Sequence, residues 1–274
     1  MTLVSLTIKK QTFLKVPSPT IPKEASVLTT SKTRPLSVLC FSTNHFFEKN
    51  LSHLMGLIAL TPHDAIVVAP EVCLSGFAYD RFDEAAAFTP IALKQLLKCL
   101  ADRLLIFTAI THEDGKFYNT AYALHKGAIL HTQTKAKLFA LGGETDYFTA
   151  GIESAIKPFE FQGIKIGILI CFELRFKTLW QMLEGCDIIA IPAQWGKLRS
   201  DHFVTLTNAL SLMNQCYVAA ADGLNEDTSA MSGIITPFGA EIRNNGEEVL
   251  TSNYEERTVT SMRRYLNVGI SCDR

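Results

Sequence analysis

The chain has 274 residues, 47% of them hydrophobic, and a formal net charge of −1. That length can bury a full core, as one large domain or two small ones, and without a basic block there is no electrostatic footprint for nucleic acid. No apolar run is long enough to span a bilayer and the N-terminus lacks a signal-peptide core, so no membrane is expected and a cytoplasmic protein is.

Residues 1–34 differ from the rest. Pro17, Pro19, Pro22 and Pro35 punctuate a Ser/Thr/Lys-rich stretch, which reads either as a flexible tail or as carrying one docked strand over Leu3–Ile8. Regular patterning begins with a short strand, Leu36–Phe41, and a helix with Phe47, Leu51, Leu54 and Ile58 on one face. Ala65–Ala69 is a continuous apolar strand stopped by Pro70 and followed by Glu71, and Ser75-Gly76 marks a turn. Thr89-Pro90 predicts an N-cap and first helical residue for IALKQLLKCL. Leu104–Ile110 is a buried strand, and Ala121–Leu124 with Ile129–His131 form a hairpin around Lys126-Gly127.

The run Ile164 to Phe176, IKIGILICFELRF, is the centre of the pattern. Ile164, Ile166, Ile168 and Ile170 share one face of a strand; Lys165, Gly167, Leu169 and Cys171 share the other. A helix-like KTLWQMLEG follows, then a strand over Asp187–Ile191 and the loop AQWGKLRSD. A long helix is expected with Phe203, Leu206, Leu210 and Met213 on one face, then strands at Tyr217–Ala221 and Gly233–Thr236. Beyond Gly239 the pattern weakens into a polar segment. There is no internal repeat and no linker after residue 35. The reading is an N-terminal extension over 1–35 and one α/β layered domain over 36–274.

The seven cysteines are Cys40, Cys73, Cys99, Cys171, Cys186, Cys216 and Cys272. Their number is odd, no CxxC occurs and most have apolar neighbours, which points to a reducing compartment and inert core thiols. The histidines are scattered without an HxxxH pair, so no metal site is expected.

Three reactive groups share one context, each following a strand: Glu71 after AIVVAP, Lys135 after the hairpin, and Cys171 at the end of IGILI. If those strands are neighbours, the three converge on one rim, where open α/β sheets bind ligands. A cysteine attacks as thiolate and needs a nearby base or cation. A carboxylate can take its proton and return it to a leaving amine. An ammonium and the N–H after the cysteine, here Phe172, can hold an oxyanion. Together they suit acyl transfer from a C–N bond through a thioester. Composition and spacing alone favour the plainer roles: Glu71 as a turn or cap residue, Lys135 as a solvated charge and Cys171 as a buried inert thiol.

APEVCLSGF, KAKLF and ICFELRF resemble, in order, the glutamate, lysine and nucleophile motifs of the nitrilase superfamily of carbon–nitrogen hydrolases. The resemblance covers about residues 36–270. It assigns Glu71 as base, Lys135 as oxyanion holder and Cys171 as nucleophile, and matches a second family glutamate to Glu144 in GGETDYFTAG. IPAQW, NALSLMNQ and SGIITPFG also fall in family order. The chain departs from the family at Lys137, where histidine is common, at Lys177, where proline is common, and at Leu210 and Met213, which replace an arginine and a glutamate.

The resemblance implies a four-layer αββα sandwich and a homodimer or higher homo-oligomer formed through outer helices. It implies hydrolysis of a small non-peptide amide to a carboxylic acid and ammonia, without a cofactor. ICFELRF, PAQWGKLRSDH and GGETDYFTAG look most like the omega-amidase branch, whose substrates carry a free carboxylate; Arg199, Lys197 and Arg175 are the basic candidates to receive it, with Trp195 lining the pocket. An N-carbamoyl compound or a nitrile as substrate, and a nonreactive binding or scaffold protein of the same fold, are the alternatives. Glu173 and Arg175 are expected to brace the turn as an ion pair, Cys73 to be packing, Lys137 to be a rival of Lys135, and His202 to offer a Cys–His reading.

Overall fold

Short apolar runs bounded by Pro and Gly become the strands of two sheets. The computed structural model describes residues 31–271, and twelve strands lie among them. The first sheet has the order β12-β1-β2-β3-β4-β5. Its strands are β1 (Thr33–Leu39), β2 (Ile66–Val68), β3 (Leu104–Glu113), β4 (Lys116–His125), β5 (Ala128–Thr134) and β12 (Val249–Glu255). The second has the order β11-β10-β9-β8-β7-β6. Its strands are β6 (Phe159–Phe161), β7 (Ile164–Ile168), β8 (Ile188–Pro192), β9 (Tyr217–Ala221), β10 (Gly233–Ile235) and β11 (Glu241–Arg243).

Each sheet has a parallel centre, β1-β2-β3 in one and β7-β8-β9 in the other, flanked by antiparallel strands. Parallel neighbours need helical crossovers. These are α1 (Phe47–Leu60) and α2 (Phe82–Cys99) in the first half, and α4 (Lys177–Met182) and α5 (Ser200–Asn214) in the second. A short α3 (Glu144–Tyr147) and a C-terminal α6 (Glu256–Tyr265) complete the set.

The alternation along the first sheet sorts its side chains between two cores. Leu36, Val38, Ile66, Val68, Leu104 and Ile106 pack with Ile166, Ile168 and Ile188 of the second sheet. Leu39, Val67, Leu105 and Phe107 point the other way, into Leu51, Leu54, Leu96 and other residues of α1 and α2. Period-2 patterning in a doubly covered strand reads as a continuous apolar run, which is why Ile66–Val68 shows no alternation in the sequence. On the outer face of β7, Gly167 leaves room for a helix: a Cβ there would lie 2.9 Å from Leu183 just after α4. Helices thus cover both outer faces, the four-layer αββα order expected.

Several expectations need correction. β1 begins at Thr33, inside the stretch read as extension. Pro35 is tolerated there because its nitrogen faces the β2 side, where the parallel ladder starts only at Leu36. Thr89-Pro90 does not open a helix: α2 starts at Phe82 and Pro90 lies inside it, exposed. Three consecutive alanines and an apolar stripe of Phe82, Ala85, Phe88, Ala92 and Leu96 carry the helix through the proline, and the Thr89 hydroxyl ties it to Ile110 O at 2.6 Å. Met213 is 67% exposed; α5 buries Thr207, Ser211 and Asn214 instead. The Thr207 and Ser211 hydroxyls donate to carbonyls of their own helix and so can be buried. Past Gly239, β11, β12 and α6 are regular; β12 is an edge strand burying only Leu250 and Tyr254, too sparse a pattern to read. The β3–β4 turn at Asp114-Gly115, both at positive φ, closes a hairpin the sequence reading passed over. Leu3–Ile8 and Cys272 lie outside the described residues.

Candidate active site

Four strand ends meet at one rim. β2 runs into Pro70-Glu71, β5 into Lys135, β7 into Cys171 and β8 into Ala193-Gln194. Because β5 is antiparallel to β4, and β4 to β3, β5 points the same way as β2. The first sheet therefore contributes Glu71 and Lys135, and the second Cys171 and Gln194.

Lys135 is fully buried, and its Nζ donates to Glu71 Oε1 and Glu144 Oε1, both at 2.7 Å. Burial alone would pull the ammonium pKa down, but Glu71, Cys171 and Glu144 outweigh it and raise it, so the lysine stays charged. One cation between two carboxylates leaves a net charge of about −1 in a dry site. Burial raises the Glu144 carboxyl pKa against the pull of Lys135. Glu144 also accepts the Phe139 N–H at 3.0 Å, which fixes its direction.

Glu71 is held from three sides. Asn119 Nδ2 donates to Oε1 at 2.8 Å, and the Gln194 N–H to Oε2 at 3.2 Å. Gln194 Nε2 donates to the Glu71 carbonyl at 3.0 Å, and the Glu71 N–H to Ala193 O at 3.2 Å. Asn119 and Gln194 were not singled out in the sequence. An amide on the inward face of β4 is the signal that could have found Asn119.

Cys171 opens a short 3-10 turn over Cys171–Arg175, at φ +46°. A left-handed non-glycine residue costs about 1–2 kcal/mol, and such strain gathers at functional sites. Val72, next to Glu71, is also left-handed at φ +41° and is pinned by its N–H to Thr108 Oγ1 at 2.7 Å. The thiol is 7% exposed. Burial pushes its pKa well up, the Glu71 and Glu144 charges add to that, and Lys135 and the Gln194 N–H oppose it. At rest the sulfur holds its proton, beside a carboxylate that can take it.

Cys171, Glu144 and Phe172 line a cavity of about 280 Å³. Phe77, Tyr79, Phe139 and Trp195 supply its apolar wall; besides Glu144, its charged groups are Arg175, Arg199 and Asp227. The Arg175 guanidinium stacks on the Trp195 ring, 4.8 Å from its centroid, and donates to His202 Nδ1 at 3.0 Å. Arg199 lies 5.1 Å from the Phe139 centroid, and its carbonyl accepts the Trp195 indole N–H at 2.8 Å. Among the described residues neither arginine is paired with a carboxylate. Burial and the neighbouring Arg199 charge lower the Arg175 pKa.

The expected Glu173–Arg175 ion pair is absent. Glu173 is fully buried and its carboxylate accepts backbone N–H groups instead, from Ala136 at 2.6 Å and Ile170 at 2.7 Å. Lys137 is paired with Glu153 towards solvent, and Lys197 is exposed off the cavity wall. His202 is exposed and occupied by Arg175. Cys73 is buried, its thiol pushed to about 12 by burial. Asp222, fully buried and lifted to about 7 by burial, accepts the Trp195 N–H at 2.7 Å and so anchors the loop carrying Gln194 and Trp195.

No group of His, Cys, Asp and Glu among the described residues has metal-binding geometry, and no described helix is long and apolar enough to cross a membrane. The Carbon-nitrogen hydrolase family model matches residues 41–264. A 2-oxoglutaramate amidase of Bacillus subtilis (strain 168) is 32% identical over 198 residues, covering 68% of this chain and 75% of that protein. Omega-amidase YafV of Escherichia coli (strain K12) is 28% identical over 224 residues, covering 79% and 86%. XC1258 of Xanthomonas campestris, a CN-hydrolase superfamily protein, has the same fold, with a TM-score of 0.75 at 22% identity over 86% of this chain and 95% of that one. The chain belongs to the carbon–nitrogen hydrolase family and is a hydrolase of carbon–nitrogen bonds other than peptide bonds.

Proposed function

We propose that the chain is an amidase that uses Cys171, Glu71 and Lys135 to release ammonia from a small ω-monoamide of a dicarboxylic acid. The observation that carries this reading is the pairing, in one small cavity, of a thiol beside a buried Glu–Lys–Glu cluster with two arginines unpaired by carboxylates. A cavity of about 280 Å³ is at the lower edge of the range for drug-sized ligands, roughly 300–1,000 Å³, so the substrate is small.

Glu71 takes the Cys171 proton and the thiolate attacks the amide carbonyl. Lys135 Nζ and the Phe172 N–H hold the oxyanion. Collapse breaks the C–N bond, Glu71 gives its proton to the departing ammonia, and a thioester remains. Water then loses a proton to Glu71, attacks the thioester and frees the carboxylic acid and the thiol. Glu144 orients Lys135. Phe77 and Trp195 exclude bulk water from the reacting carbon.

The free carboxylate of the substrate goes to Arg199 and Arg175. The named relatives act on 2-oxoglutaramate and on omega-amides, which carry such a group. Succinamate should therefore exceed butyramide, the uncharged amide of equal length, in kcat/KM. Arg199→Ala should cut that preference roughly 10–100-fold, the equivalent of about 1.5–3 kcal/mol for a hydrogen bond to a charged group. A wild-type preference for butyramide, or carbon dioxide released with the ammonia from a carbamoyl compound, would remove the omega-amide assignment.

The protein further fits a reducing, cytoplasmic setting, on the support of Cys40, Cys73, Cys99, Cys171 and Cys216, which enter no disulfide, with the residues ahead of β1 as an N-terminal extension. It associates as a homodimer through the outer helices, where Leu212 and Met213 of α5 and Tyr265 of α6 are exposed. Light scattering at micromolar concentration should give twice the chain mass; a monomer alone would contradict this.

A further inference from the structure

The groups proposed to react come from different sheets. Glu71 and Lys135 end strands of the first sheet, and Cys171 ends a strand of the second. Within a sheet the backbone ladder fixes register; between sheets there is no ladder, only packing and whatever polar groups cross. One crossing is already described, where Gln194 and Ala193 grip Glu71. It holds the β8 end against the base. A second crossing, Gln133 Nε2 donating to Ile168 O at 3.1 Å, ties β5 to β7 short of both Lys135 and the Cys171 turn, so neither reaches the turn itself.

We infer that Glu173 is the positioning residue that holds the strained Cys171 turn at a fixed reach from Lys135. The inference rests on the proposed roles of those two residues. Its carboxylate spans the gap with one oxygen on each sheet's segment. Oε1 accepts the N–H of Ala136, the residue after Lys135, at 2.6 Å, and Oε2 accepts the N–H of Ile170, the residue before Cys171, at 2.7 Å. The Glu173 N–H in turn donates to Ile170 O at 3.0 Å, closing a tight ring around the left-handed Cys171. The side chain is fully buried, so it is not a substrate contact, and no cation is paired with it among the described residues. Burial lifts its carboxyl pKa to about 7 against the pull of the Ile170 and Ala136 N–H groups and of Lys135, and a buried carboxylate with no salt-bridge partner is expensive in a core. Two acceptors aimed at two separate strand ends are what it supplies in return. Neutral isosteres cannot do the same: an amide offers one oxygen and turns its –NH2 towards a backbone N–H.

The test uses the full chain with succinamate as substrate. In Glu173→Gln, kcat should fall roughly 100-fold, the scale of an ångström-sized misplacement of reacting groups, while KM moves less than about threefold, since the arginine wall is untouched. Alkylation of Cys171 by iodoacetamide, followed by peptide mass, should slow as well. A folded glutamine variant with wild-type kcat and alkylation rate, or with only KM changed, overturns the inference. Should that variant not fold, Glu173→Asp decides. Its carboxylate, one methylene shorter, reaches one segment only, and kcat should fall roughly tenfold. Wild-type kcat in the aspartate variant overturns the inference, as does loss of fold in both, which would assign Glu173 to the core alone. Cys171→Ala, run in parallel, separates the two levels. If it stays active, the proposed nucleophile fails whatever Glu173 does. If it is dead while folded Glu173→Gln is normal, only the inference fails.

Discussion

Cys171→Ala should lower kcat on succinamate by roughly 10⁴-fold or more, the scale seen when a covalent nucleophile is deleted. The fold should survive, because the lost atom sits where the core opens onto the cavity, and alanine bears the φ of +46° as cysteine does. The melting temperature should therefore stay near that of wild type. Alanine at Cys73, Cys186 or Cys216 should show the opposite split. Each of those thiols is fully buried in apolar packing, so they bear on stability and leave the chemistry intact. Full turnover in Cys171→Ala, with loss in one of the others, would overturn the assignment.

Glu71→Gln should be the second most severe change, with kcat reduced roughly 10²–10⁴-fold, the contribution of a general base. The charge count makes this substitution informative. Glu71, Lys135 and Glu144 sum to −1, so a neutral amide in place of the Glu71 carboxylate leaves Lys135 and Glu144 as a matched pair with no orphaned buried charge. The amide oxygen can still accept from Lys135 and Asn119, and only the long 3.2 Å bond from the Gln194 N–H to Oε2 is lost to the –NH2. The fold should persist, and lost activity then reports lost proton transfer. Both acylation and thioester hydrolysis need the base, so no thioester should accumulate. His202→Ala is the control. Its ring is occupied by Arg175 in the structure, and kcat should change by less than about tenfold. If the histidine variant were dead and the glutamine variant active, a Cys–His mechanism would be the better account.

Much of this site is legible in the sequence, for identifiable reasons. Glu71, Lys135 and Cys171 each sit one to three residues past a strand, but only at Pro70 and Ile170 does an apolar run stop abruptly, because β2 and β7 are covered on both faces. β5, before Lys135, is a mostly exposed edge strand that ends His-Thr-Gln-Thr and offers no such edge. Convergence is different: it depends on which strand lies beside which, and only the family motifs pointed to it. The choice of Lys135 over Lys137 shows the limit. Both follow β5, one fully buried between two carboxylates and the other beside Glu153 at the surface, and no periodicity rule applies once the strand has ended.

The misreadings have a common cause, tertiary contacts overriding local signals. Thr89-Pro90 carries a strong local cap signal, yet the stripe from Phe82 to Leu96 is anchored on β3 and keeps the helix going. Glu173 and Arg175 are close in sequence and opposite in charge. Each has a better partner elsewhere: Glu173 the backbone of two strand ends, Arg175 the face of Trp195. β12 hides because an edge strand with two buried residues has nearly the composition of a loop.

The central claim is that the amide carbon becomes bonded to the Cys171 sulfur during turnover. Wild-type enzyme mixed with succinamate, quenched in acid within the turnover time and digested, tests it by peptide mass. The peptide containing Cys171 should carry a succinyl thioester that disappears when substrate is exhausted and never forms in Cys171→Ala. Turnover with no adduct on that peptide, or with the adduct on another cysteine, would contradict the account.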